Sequence, residues 1–147
     1  MLSLRVMWRP FIVVALMATV AAADPTVTIR TAKDNSHTAT VPESKQLEAV
    51  MRHKIEGLVA RNPVKLDSNR NVDASIVSMT TDVVAGTVVV NATLEVIVSD
   101  DDGRITSMLG GSAKVEGKGR IADLRQDAVE GALESGYARG KDRLRGK

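Results

Sequence analysis

The chain has 147 residues, the length of one ordinary domain, with 44% hydrophobic and 26% charged residues. That length excludes a barrel of eight strand–helix units, and that composition excludes disordered and collagen-like chains. Cysteine is absent, which rules out disulfides, thiolate metal sites and cysteine nucleophiles, and the formal net charge is only +2.

Residues 1–23 read as a targeting segment. Arg5 and Arg9 make a basic start, Phe11 to Val20 is an apolar run interrupted by one Thr, and Ala21-Ala22-Ala23 precedes Asp24-Pro25. A basic end, an apolar stretch and a small-residue site follow one another in a secretory signal peptide. Cleavage is expected after Ala23, with Ala22 the second choice. The competing reading is a membrane anchor, but the stretch from Pro10 to Ala23 would span about 21 Å as a helix, short of the roughly 30 Å hydrocarbon core. No cysteine is present to carry a lipid. Removal of the segment takes away two basic residues and no acidic one, leaving the two signs equal. The overall pI of 9.1 is therefore no argument for nucleic-acid binding. Trp8 and Phe11 leave as well, so Tyr137 is the one aromatic of the mature chain, too few for base-stacking or aromatic sugar-binding surfaces.

The mature chain starts with a short strand, Thr26 to Lys33, in which Val27 and Ile29 alternate with Thr28 and Arg30. Asp34 to Pro42 is a polar loop. The spacing of Leu47, Val50, Met51, Ile55, Leu58 and Val59 predicts an amphipathic helix from Glu43 to Arg61. Asn62-Pro63 ends it, because proline disfavours helical geometry in the residue before it. Val64 to Asn71 is a turn-rich connection.

From Val72 to Glu116 the pattern is strand. Val72, Ala74 and Ile76 alternate with Asp73 and Ser75, and Ala85-Gly86 supplies a turn. Val88, Val90, Ala92, Leu94, Val96 and Val98 then form one continuous apolar face. Asp100-Asp101-Asp102-Gly103 is a hairpin turn, glycine supplying positive φ. Ile105, Ser107 and Leu109 resume the alternation, Gly110-Gly111 is read as a bulge, and Ala113 and Val115 finish the strand. After Gly117-Lys118-Gly119 a second helix is expected from Ile121 to about Tyr137, with Gly131 and Gly136 either weakening it or letting it approach the sheet closely. Arg139 to Lys147 reads as a basic, flexible tail.

The expected architecture is a single α+β domain over 24–138 in the order β-α-β-β-β-α. It has a mostly antiparallel sheet of about four strands, two helices on one face, and a right-handed crossover between the first two strands.

Catalytic and metal chemistry finds little to work with. His37 lies in a polar loop and His53 on the polar face of the first helix, with no HxH or HxxxH spacing to make a metal pair. Asp100 to Asp102 lack the spread of ligands and the late Glu of a calcium loop. Gly110-Gly111-Ser112 and Gly117-Lys118-Gly119 match neither dinucleotide nor triphosphate spacing, and no serine stands in GxSxG. Asn91-Ala92-Thr93 is a glycosylation sequon placed mid-strand, where acceptor access is poor. No catalytic residue, metal or cofactor is assigned.

VDASIVSM, a turn, TVVVNATLEVIVSDDDGRITSMLGGSAKV and a helix containing AVEGAL together resemble periplasmic domains of the curli-secretion-channel and penicillin-binding-protein-activator type. The resemblance covers under half the chain. It implies an envelope-located, non-catalytic scaffold fold and carries over no functional residue. Those proteins are usually lipoproteins, whereas this chain has no lipidation cysteine.

The expected function is an exported envelope module that binds another envelope protein, the alternative being a small-ligand carrier or periplasmic enzyme. Strand alternation places Val77, Met79, Val89 and Ile97 opposite the main apolar face. If the helices cover that main face, these four side chains form a candidate partner-binding group.

Overall fold

The computed structural model describes residues 24–61 and 66–140. The targeting segment, residues 62–65 and the tail from residue 141 lie outside the described residues. The elements are β1 (Val27–Asp34), α1 (Val41–Arg61), β2 (Arg70–Val84), β3 (Thr87–Ser99), β4 (Ile105–Gly117) and α2 (Ile121–Gly140). One four-stranded sheet has the order β1-β2-β3-β4. β1 and β2 are parallel across the α1 crossover, and β2, β3 and β4 form an antiparallel meander. This is the expected α+β architecture, with both helices packed on one face.

α1 begins two residues before the expected Glu43. Pro42 falls in its first turn, where a missing N–H costs nothing, and the Thr40 carbonyl accepts the first helical hydrogen bond from Ser44 at 2.8 Å. Leu47, Met51, Ile55 and Leu58 form its buried stripe. They meet Val72, Ala74 and Ile76 of β2, Val90, Leu94 and Val98 of β3, and Ala128, Val129, Ala132 and Leu133 of α2 in one core. The alternation predicted for β3 holds from Val88 to Val98, and breaks at Ser99, which is buried next to Val98.

Bulges lie elsewhere than at Gly110-Gly111. Those two residues sit in regular register opposite Glu95 and Leu94. Instead the register shifts at Arg30 in β1, at Val77 in β2 and at Thr106 in β4. The second shift corrects the assignment of Met79. Ile76 pairs with Leu94 and Ser78 with Thr93, so Val77 is the extra residue and every later side chain of β2 changes face. Met79 therefore points inward opposite Ala92 and is 4% exposed, in the core, while Val77 is 50% exposed.

Gly110-Gly111 serves the helix–sheet interface. A Cβ at Gly111 would stand 2.0 Å from the Ala132 carbonyl oxygen, and one at Gly136 would stand 3.3 Å from the Gly110 carbonyl oxygen. The two backbones touch, which decides between the two readings of Gly136 in favour of close approach. α2 also continues past Tyr137 to Gly140, so Arg139 is helical rather than the start of a tail.

The β2–β3 hairpin turns through Ala85 at φ 51° and Gly86 at φ 80°, the type I′ pattern. Alanine pays for the left-handed conformation that asparagine adopts more readily. Ala85→Asn should raise stability by roughly 0.5–1 kcal/mol, measured as a shift in the urea midpoint at unchanged slope.

Candidate functional site

The outer face of the sheet carries no described element. Across β2, β3 and β4 its rows read Asp73–Ile97–Met108, Ser75–Glu95–Gly110, Ser78–Thr93–Ser112, Thr80–Asn91–Lys114 and Asp82–Val89–Glu116. The middle of this face is hydroxyl and amide. The four residues expected to form one apolar group are not brought together. Met79 is in the core, and Val77 stands on the bulge. Val89 is flanked by Asp82 and Glu116. Ile97 lies eight residues along β3 from Val89, roughly 27 Å away at strand rise, beside Met108. Glu116 pairs with Lys114 at 3.1 Å.

Other polar groups serve structure. Arg125 of α2 donates from one nitrogen to both carboxylate oxygens of Glu43 at 2.9 Å and from Nε to Thr81 Oγ1 at 3.1 Å, joining both helices to β2. Lys54 and Glu134 make a second ion pair between the helices. Arg70, almost fully buried at the start of β2, donates to Asp67 at 2.8 Å, to Ser68, and to the Asn69 carbonyl at 3.2 Å. In the β3–β4 turn Asp100 Oδ1 accepts from the backbone N–H of Asp102 and Arg104 at 3.0 and 2.9 Å, and Gly103 has φ 83°. Asp101 accepts from Asn69 at 3.0 Å. This aspartate run is a turn stabilised by its own backbone donors.

Both histidines are exposed, His37 in a left-handed conformation and His53 on α1. Among the described residues no group of three His, Asp or Glu side chains is placed to hold a metal ion. An apolar cavity of about 40 Å³ lies between the two helices and the sheet, lined by Ile55, Leu58, Leu94, Leu109, Leu133 and Tyr137 among others. That is well below the roughly 300 Å³ and more of a pocket for a drug-sized molecule. Burial pushes the Tyr137 phenol up from its ordinary value.

Two aspartates are held below the ordinary carboxylate value. For Asp34, burial opposes the charge, but hydrogen bonds from Ser36 and Ser44 and the nearby His37 outweigh it. For Asp73, the hydrogen bond from Arg30 at 2.6 Å outweighs burial, and Thr31 adds a second at 2.8 Å. A depressed folded-state value stabilises fully above the ordinary aspartate value of 3.8 and is lost as pH falls through the folded value. The melting temperature should stay level from pH 7 to 5 and fall below pH 4. Asp34→Asn should flatten that fall and cost about 1 kcal/mol at neutral pH.

No protein-family model and no curated protein sequence matches the chain. Solved structures do. A lipoprotein-type protein of Caulobacter crescentus is similar over 80% of this chain and 87% of its own, at 11% identity and a TM-score of 0.51. The PelC dodecamer of Paraburkholderia phytofirmans aligns over 77% of this chain and 86% of its own, at 11% identity and a TM-score of 0.47. A lipoprotein of Neisseria meningitidis aligns over 80% and 98%, at 9% identity and a TM-score of 0.47. At such identities the likeness to the Caulobacter protein is one of fold. No helix among the described residues is long and apolar enough to cross a membrane.

Proposed function

We propose that this chain is an exported, non-catalytic interaction module of the bacterial envelope whose helices leave one side of the sheet bare, docking another envelope protein through that face or an edge strand. That one-sided architecture is the observation carrying the reading: α1 and α2 pack on one face, and no described element covers the other. The order of basic residues, apolar run and alanine triplet in residues 1–23 supports export. The fold likeness to a lipoprotein-type protein, and the resemblance of Val72 to Leu133 to curli-secretion-channel and penicillin-binding-protein-activator domains, support an envelope scaffold. The ionisable side chains named above are turned to turns, caps and helix–helix pairs, which supports binding over turnover.

The test is crosslinking of the tagged full chain in intact cells of its native host, with mass spectrometry of the exported form. The reading expects a mature N-terminus at Asp24 or Ala23 and one partner recovered in near-equal amount. Steady hydrolase turnover abolished by changing one polar residue, or a chain retained with Met1 in the membrane fraction, would overturn it.

A further inference from the structure

Arg125 ties the two helices and the sheet together near one end of the molecule, reaching Glu43 of α1 and Thr81 of β2. Beyond that tie each of the three elements carries an exposed apolar side chain. Val83 follows Thr81 by two residues on the same face of β2, Ile121 stands one helical turn before Arg125, and Val41 lies two residues before Glu43. Val84 adjoins them in the β2–β3 hairpin. Val41 is 72% exposed, Val83 66%, Val84 61% and Ile121 42%. More than half of the exposed large apolar side chains among the described residues are thus at this one end. The same end is electropositive. Both helices begin there, so the positive poles of both helix dipoles face it. Lys45, Lys118 and Arg120 are exposed and pair with no acid among the described residues. Glu43 and Glu116 are paired with Arg125 and Lys114. The unpaired acids are Asp82, on the outer face, and Asp123, about 200° around α2 from Ile121. We infer that this end docks on an anionic lipid bilayer. Val41, Val83, Val84 and Ile121 enter the interfacial region, and Lys45, Lys118 and Arg120 meet the phosphate headgroups. The contact uses neither the bare sheet face nor an edge strand, so both stay free for a protein partner.

Size and charge choose this occupant over a protein. A stable protein interface takes about 20–30 residues a side, far more than the four apolar and three cationic side chains of this end. A bilayer needs no fitted counter-surface. Apolar side chains partition into it one by one, and each cation near an anionic surface adds its own attraction. The hairpin suits such entry, because Val83 to Gly86 is four consecutive residues without a polar side chain. A second copy meets a further obstacle. Placed end to end, two chains would set Lys45, Lys118, Arg120 and the positive helix poles against their own kind. The far end of the sheet has the opposite sign. Asp100, Asp101 and Asp102 form the β3–β4 turn there, and Asn69 links Asp101 to Thr26 at the start of the described chain. Docked by the hairpin end, the chain holds this acidic turn farthest from the anionic surface.

Flotation of the chain, as exported by its native host, with vesicles of phosphatidylcholine and phosphatidylglycerol at about two to one tests this. The expected result is binding at least about ten-fold stronger than to phosphatidylcholine alone, and weakened by added salt. Lys118→Gln with Arg120→Gln should weaken it about 25-fold, about five-fold for each cation lost. Val83→Thr with Val84→Thr should weaken it at least about ten-fold. Threonine keeps the β-branched shape that a strand favours, so this variant should fold, which circular dichroism checks. Ile105→Thr, at a side chain 61% exposed on the far end, should leave binding unchanged. No binding to the mixed vesicles, equal binding to phosphatidylcholine, or binding that the hairpin variant leaves intact overturns the inference. So does a dimer, seen by sedimentation, that the hairpin variant abolishes while the vesicles stay bare, because the patch then belongs to a second copy. Each of these results leaves the module reading in place.

Discussion

Gly111→Ala should cost about 3 kcal/mol or more, enough to abolish folding in a marginal domain. The new methyl group would stand 2.0 Å from the Ala132 carbonyl oxygen and 3.0 Å from the Gly136 nitrogen. Both are backbone atoms of α2, and neither can move without the helix. Relief requires lifting α2 off β4, which unpacks Leu124, Ala128 and Leu133 from the core they complete. Overpacking against a flexible side chain is cheaper, because a rotamer change absorbs it. Gly110→Ala is the control. Its Cβ would meet only the Leu94 carbonyl, at an ordinary 3.9 Å, so a change within about 0.5 kcal/mol is expected. Urea denaturation of the two variants separates the outcomes. If Gly111→Ala unfolds within 1 kcal/mol of the parent chain, α2 does not rest on β4 as described.

This glycine pair shows where sequence reading stops. Two adjacent glycines in a strand signal either a bulge or a close approach by other backbone, and nothing local separates these. The deciding partner, Ala132 to Gly136, lies over twenty residues away in another element. Gly136 and Gly140 were the available signal, since glycines four apart on a helix leave one side without Cβ atoms. What was legible was whatever depends on near neighbours alone. The alternation of β3 and the spacing of Leu47, Met51, Ile55 and Leu58 follow from burial of one face. The turns at Ala85-Gly86 and Asp100 to Gly103 follow from turn chemistry.

The candidate site was less legible for a related reason. An apolar group on a sheet face depends on register across strands, and register depends on bulges that the one-dimensional pattern conceals. Ile76 and Val77 are both apolar, so inserting one residue there leaves no gap in hydropathy. The β4 edge is harder still to see, because edge position is a property of strand order.

Met79→Asp should destabilise the chain by about 4 kcal/mol or prevent folding, whereas Val77→Asp should change stability by less than about 1 kcal/mol. Uninterrupted alternation would put both side chains on the same outer face and predict equal tolerance. The bulge at Val77 separates them. Met79 is 4% exposed and packs opposite Ala92 among Ile76 and Val90, while Val77 is 50% exposed. A carboxylate at position 79 would stand nine residues along β2 from the buried Arg70, out of pairing reach, and the Met79 carbonyl beside it already accepts from Thr38 Oγ1 at 2.8 Å. It would protonate or force the strand outward, and either route loses the apolar contacts of the methionine. Thermal melts of the two variants at pH 7 give the comparison directly. Equal, small losses would mean that β2 keeps its phase through Val77, returning Met79 to the outer face. A large loss at 79 alone would locate the inside of the sheet by the behaviour of one strand, and leave the bare face to Thr80, Asn91, Thr93 and their polar neighbours.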